Sequence, residues 1–295
     1  MSAEVPYTAR QDDLYYPCKN AVFFPDGPPR SDAALCAEMS RLAYCRHDSD
    51  FGFDREKIQT VLRKVGFESC DFFESESMPL AEGFHGFLTV RSASGDQRKL
   101  AVLSFRGTDK DDPSDLAEDA DFIMRKCEKP RMGRVHEGFS SALDELLPKV
   151  RPAIDGIDCD ILFTGHSLGA ALATLMASFR KPKALYTFGS PRVGDEDFVA
   201  SLSDVEGYRY IDCCDVVARI PPSFLGYRHH GKRIYIDRQR RVLADPGDEY
   251  IEKDRLAGEI EYREKYAWHM GNLGVRALAD HAPFNYVMPL LEASS

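Results

Sequence analysis

At 295 residues, 43% of them hydrophobic and 29% charged, the chain has the make-up of a folded protein of one or two domains, which excludes disorder throughout. Lysine and arginine number 38 against 48 aspartate and glutamate, and the net charge of −10 repels a phosphate backbone, so no nucleic-acid partner is expected. Charge, Gly or Pro breaks every apolar run well before the roughly 18 residues of a membrane span, so no integral membrane association is expected either.

Residues 1–30 mix Pro, Asp and aromatics (Tyr15-Tyr16-Pro17, Phe23-Phe24-Pro25, Pro28-Pro29) and read as an irregular arm packed on the body through its aromatics. Glu4, Asp12 and Asp13 at the start, with no basic segment or apolar core, do not make a secretory signal. The expected compartment is the cytoplasm, although export without a recognisable signal peptide would look the same. Residues 31–295 read as a single domain. Ser31 caps a helix carrying Leu35, Met39, Leu42 and Ala43 at helical spacing, and Asp54 caps another that stops at Gly66. The period then becomes two: Phe84 to Arg91 and Leu100 to Phe105 are expected as a hairpin, turning at Ser94-Gly95-Asp96, that starts a sheet. Helix and strand alternate from there: a helix over Glu137 to Ile154, a strand at Asp160 to Thr164, a helix over Leu168 to Phe179, a strand at Ala184 to Phe188. That order predicts an α/β fold with a mostly parallel sheet between helices. Short strands at Tyr208 to Asp212 and Arg233 to Ile236 and a helical end from Tyr250 complete it, the charged run Glu252 to Lys265 reading as a solvated helix face. The eight cysteines form no CxxC and no cluster with histidine at ligand spacing, so free thiols are expected and no metal.

The chemistry concentrates in Gly165-His166-Ser167-Leu168-Gly169, a G-x-S-x-G sequence between an apolar strand and a helix of small residues. Alone the pentapeptide is common by chance; in this context it is a nucleophile elbow, with flanking glycines because side chains there would collide with backbone. Serine is a poor nucleophile unless a histidine takes its proton and an acid orients that histidine. Asp215 stands just past a predicted strand and ahead of Ile220-Pro221-Pro222, with Asp212 as a rival, and His281 in Asp280-His281-Ala282-Pro283 stands before a helix, with His269 as runner-up.

Taken in order, Phe105-Arg106-Gly107-Thr108, Val135-His136-Glu137-Gly138-Phe139, Gly165 to Gly169, Phe188-Gly189-Ser190-Pro191-Arg192-Val193-Gly194, Asp215 to Pro222, Gly226-Tyr227-Arg228-His229 and Asp280-His281 resemble the motifs of the class 3 lipases. The resemblance implies the α/β-hydrolase fold and a triad of Ser167, Asp215 and His281, choosing His281 over His269. It further implies an oxyanion hole from Thr108 and the amide of Leu168, with His136 a structural histidine. The implied activity is carboxylic ester hydrolysis, of acylglycerols or related fatty-acyl esters, through an acyl-enzyme and without metal or organic cofactor. Phe122, Met124, Phe224 and Leu225 are expected to line the acyl groove. Where lipases of the family carry an amphipathic lid, this chain has the acidic run Asp109 to Asp119, which would gain little from an oil surface. A phospholipase A1, a short-chain esterase and a non-catalytic scaffold are the alternative readings.

Overall fold

A computed structural model describes residues 5–19, 21–47, 52–75, 83–95, 97–108, 122–127 and 132–294. The acidic run over 109–119 lies outside them. The framework is an eight-stranded sheet: β1 (Ser69–Glu74), β2 (His85–Arg91), β3 (Leu100–Phe105), β6 (Ile161–His166), β7 (Ala184–Phe188), β8 (Gly207–Asp212), β9 (Lys232–Ile236) and β10 (Val242–Ala244), in that spatial order. The five central strands β3, β6, β7, β8 and β9 run parallel, while β1, β2 and β10 attach antiparallel at the two edges. A separate two-stranded ribbon pairs β4 (Met124–Lys126) with β5 (Arg134–His136). This is the α/β-hydrolase fold, with the expected mostly parallel sheet.

Parallel strands covered on both faces are apolar throughout, and the alternation assigns each side chain to a layer. In β3, Leu100 and Val102 face one core, with Ala101, Leu103 and Phe105 facing the other. The first layer is covered by α2 (Asp32–Leu42), α3 (Arg55–Lys64) and α9 (Pro283–Glu292). The second lies under α4 (Glu137–Asp155) and α5 (Leu168–Met176). Ser31 and Asp54 cap α2 and α3 as expected, accepting from the amides of Ala34 and Lys57.

Two expectations need correction. The hairpin does not start the sheet, because β1 pairs outside it with Ser69 opposite Val90 and Glu74 opposite His85. The arm is not wholly irregular: α1 (Gln11–Tyr15) forms there, with Asp12 and Asp13 in its first turn. The arm's Phe23 and Phe24 are buried in the first core layer, while Tyr7 packs on Tyr262 and Tyr266 of the C-terminal region. The remaining α-helices among the described residues are α6 (Glu196–Ser201), α7 (Asp248–Lys265) and α8 (Arg276–Ala279). The run Glu252 to Lys265 falls in α7, where Lys253 pairs with Glu249 and Lys265 with Glu261, one helical turn apart. All eight cysteines are free thiols.

Candidate active site

Ser167 occupies the junction of β6 and α5 at φ 56°, ψ −127°, a conformation L-residues rarely adopt. The turn closes because neither flank carries a side chain: a Cβ on Gly165 would run into the backbone of Gly169, and one on Gly169 into the Phe105 carbonyl. The amide of Ser167 donates to the Phe188 carbonyl on the neighbouring strand at 3.0 Å, fixing the elbow to the sheet. Its Oγ thereby stands at the N-terminal end of α5, where backbone amides point outward.

His281, in the segment between α8 and α9, holds its Nε2 2.9 Å from Ser167 Oγ, and its Nδ1 lies 2.9 Å from Asp215 Oδ2. Asp215 follows the end of β8; its Oδ1 accepts from the amide of Val217 at 2.8 Å, while its Oδ2 also accepts from the hydroxyl of Tyr286 on α9. Burial pushes the Tyr286 phenol well above its ordinary pKa, and the Asp215 and Asp212 charges add to this, so it stays a donor. All three predicted residues are thus brought into one relay, each at most 3% exposed. The rivals are elsewhere: Asp212 is gripped by both oxygens from Arg240 at 2.8 and 2.7 Å, and His269 is exposed on the surface.

His166 backs the site. Its Nε2 donates to the His281 carbonyl at 2.8 Å, so its Nδ1 is the acceptor for the Tyr44 hydroxyl at 2.7 Å. Complete burial, with His281 beside it, holds its pKa well below the usual histidine range. It is a fixed neutral support for the backbone of His281. Asp280 fixes the same segment from the other side, accepting from Arg276, from the Cys214 amide and from the Tyr7 hydroxyl, each at 2.9 Å. The arm contributes again where Thr8 and Asn285 exchange hydrogen bonds of 2.9 and 2.8 Å. A supporting role for His166, rather than that of the base, was legible in the sequence from its place inside the elbow; the Asp280 and Thr8–Asn285 braces were not.

Of the two predicted oxyanion donors, Leu168 opens α5 directly after the nucleophile. Thr108 is exposed just past Gly107, whose backbone presses on the elbow: a Cβ there would sit 3.1 Å from Ser167 Cβ and 2.8 Å from the His166 carbonyl. Gly189 has the same relation to the relay, with φ +56° and room for no Cβ, which would stand 2.7 Å from Asp215 Oδ2 and 3.0 Å from the His281 ring.

Beside Leu168 opens an apolar cavity of about 200 Å³, walled by Phe122, Phe139, Ala142, Pro191, Val217 and Ile220 among others. Of the four residues expected to line an acyl groove, Phe122 lies on this wall and the others do not. Met124 is half-buried in β4 opposite His136, while Phe224, 84% exposed, and Leu225 sit on a surface turn. Apolar character alone did not tell which side of the Pro221-Pro222 turn they face. His136 also lines the cavity: its ring stacks on Phe139, its Nδ1 accepts from the Phe139 amide at 3.4 Å, and its Nε2 is a buried donor without a partner among the described residues. Burial pushes its pKa down to about 4.

A serine, histidine and carboxylate in hydrogen-bonded sequence, mounted on the elbow of a mostly parallel sheet, have the geometry of the serine-nucleophile members of the α/β-hydrolase fold. The model of the family described as lipase (class 3) matches residues 102–225 of this chain. The chain is 32% identical over 205 residues to a secreted mono- and diacylglycerol lipase of Fusarium solani, the match covering 66% of this chain and 58% of the relative. It is 28% identical over 208 residues to phospholipase A1-IIgamma of Arabidopsis thaliana, over 55% of this chain and 49% of that one. The chain therefore spans about half to three-fifths of the length of these relatives. Among solved structures, a lipase from Rhizopus microsporus var. chinensis shares the fold with a TM-score of 0.56 at 21% identity, over 83% of this chain and 86% of the other.

Proposed function

We propose that the protein is a serine carboxylic ester hydrolase acting as a lipase on acylglycerols or related fatty-acyl esters. The observation that carries this reading is the unbroken relay from Ser167 Oγ through His281 to Asp215, set against an apolar cavity that begins at Leu168. Ser167 attacks the ester carbonyl while His281 Nε2 takes its proton, and Asp215 stabilises the imidazolium. The charge developing on the carbonyl oxygen is met by the amide of Leu168 and by Thr108, donors that are each worth about 3 kcal/mol at such positions. His281 then protonates the leaving alcohol, and water cleaves the acyl-enzyme by the same route reversed. The acyl chain occupies the cavity walled by Phe122, Phe139 and Ala142. The name of the Fusarium relative supports an acylglycerol substrate.

A phospholipase A1 is the second reading, favoured by the name of the Arabidopsis relative. Hydrolysis of p-nitrophenyl esters from acetate to palmitate, below and above their solubility limits, with Ser167→Ala in parallel, tests the proposal. A loss of order 10⁶ in kcat is expected for the variant, and equal activity in variant and wild type would refute it. Release of free fatty acid from dispersed dioleoylglycerol rather than phosphatidylcholine separates the first reading from the second.

A further inference from the structure

A second cavity, a cleft of about 580 Å³, lies behind the acid end of the relay. Its floor is sheet: Arg209, Ile211 and Cys213 alternate along and just past β8 and so project to one face, and Arg233 of β9 stands opposite Arg209 in register. Arg192, Arg219 and Arg255 complete a set of five arginines around it. Two of these are neutralised locally, Arg233 by Asp245 and Asp248, and Arg255 by Glu252. The third carboxylate on the walls, Asp215, is taken by His281, Tyr286 and the Val217 amide.

Arg209 is different. It is 8% exposed, and among the described residues its Nε is a buried donor with no acceptor and no carboxylate forms an ion pair with its guanidinium, Asp245 acting on it only from a distance while paired with Arg233. Arg192 uses one nitrogen on the carbonyls of Arg219 and Pro221 and has no carboxylate partner among the described residues, nor does the exposed Arg219. A buried unpaired cation costs several kcal/mol. A chain with 48 acidic side chains against 38 basic ones has ample carboxylates to supply, yet among the described residues three guanidinium groups of one cleft have no carboxylate in ion-pair contact.

We infer that this cleft is a binding site for a phosphate-bearing anion, held by Arg209 with Arg192 and Arg219. The planar fork of a guanidinium donates two parallel hydrogen bonds to phosphate oxygens, and a dianion matches several converging cations where a single carboxylate leaves charge uncompensated. The cations act on one another: burial, with Arg233 and Arg192 close by, pushes Arg209 down to about 10. The phosphate belongs to a lipid headgroup or to a free phosphate ester. Ile220 walls both this cleft and the apolar cavity, so the two sites adjoin.

Binding does not depend on ester hydrolysis, so the test uses the Ser167→Ala protein. Its melting temperature and calorimetric heats are followed while inorganic phosphate or glycerol 3-phosphate is added at constant ionic strength, with chloride and butyrate as controls. Saturable binding of both phosphates is expected, with no response to chloride or butyrate. Arg209→Met abolishes it without lowering the melting temperature in phosphate-free buffer, since it removes an unpaired buried charge. Arg219→Ala, an exposed position that leaves folding intact, weakens it about tenfold, the effect of one charged hydrogen bond. No saturable response, an equal response to chloride or butyrate, or full binding by both variants would overturn the inference. With Ser167 restored, the ratio of hydrolysis of phosphatidic acid vesicles to dispersed dioleoylglycerol identifies the source. A ratio lowered by Arg219→Ala identifies a headgroup, whereas an unchanged ratio alongside weakened phosphate binding identifies a free phosphate ester.

Discussion

Tyr286 donates its hydroxyl to the same Oδ2 of Asp215 that His281 Nδ1 engages, while its own oxygen accepts from the Asp212 amide at 3.1 Å. The phenol thus ties the acid to both the end of β8 and helix α9. A carboxylate held by three donors keeps its direction toward His281 without needing water.

Tyr286→Phe removes one of those donors and leaves the ring in place. A hydrogen bond to a charged group is worth about 1.5–3 kcal/mol, so kcat on a soluble butyrate ester is expected to fall roughly tenfold to a hundredfold with little change in KM. Because Phe also leaves the Asp212 amide unpaired, the melting temperature falls as well. Steady-state kinetics and calorimetry on the purified variant measure both, and a kcat equal to that of wild type would remove Tyr286 from the relay.

Gly189→Ala asks more of the site than its size suggests. The new methyl must fit a left-handed backbone, at a cost of about 1–2 kcal/mol, and it meets Asp215 Oδ2 and the His281 ring at 2.7 and 3.0 Å. Displacing that pair by a fraction of an ångström breaks the line to Ser167. Turnover is expected to drop by about 10², while circular dichroism reports a folded protein. Fluorophosphonate labelling of Ser167, slowed in the same proportion, would place the defect at the nucleophile.

Acid stability follows from buried histidines kept neutral. Burial, chiefly, holds His136 at about 4 and His85 at about 3, and His166 and His229 well below the ordinary range. Each has a folded pKa below the unfolded value near 6.5, so the unfolded chain binds more protons there. The stabilisation is complete above about pH 6.5 and is lost as the pH falls toward 4, by up to about 1.4 kcal/mol per pH unit for each such group. Urea midpoints between pH 7 and 4.5 are expected to decline steeply, and His85→Gln should flatten that slope by about one proton. A slope unchanged by the substitution would mean that His85 titrates normally.

What the sequence made legible, and what it did not, divides along the range of the contacts. Ser167 could be read because the elbow is local: two glycines, a strand before and a helix after lie within twenty residues. The place of Asp215 past the strand and ahead of Ile220-Pro221-Pro222 points to it with Asp212 as a rival, whereas His281 needs the order of motifs to stand apart from His269; Arg240, 28 positions from Asp212, removes that rival by gripping it. The Thr8 and Asn285 pairing spans 277 positions, and no periodicity announces it. Tyr286 read only as part of a helix, because a phenol that donates across the sheet end looks in sequence like any aromatic on an inner face. The strand β1 escaped for another reason: as an edge strand with five of six residues at least partly exposed, it lacks the unbroken apolar run of its neighbours.

The apolar cavity sets an expectation for chain length. Ala142, buried on α4, contributes one wall of a space of about 200 Å³, and phenylalanine there projects its ring into it. Each methylene denied burial costs about 0.8 kcal/mol, or roughly fourfold in affinity. For Ala142→Phe, kcat/KM on the palmitate ester should therefore fall by about 10² or more while the acetate ester, which barely enters, keeps its rate. A uniform loss across all chain lengths would instead mean that the acyl chain lies elsewhere, along the exposed Phe224 and Leu225, and the pair of profiles distinguishes the two placements directly.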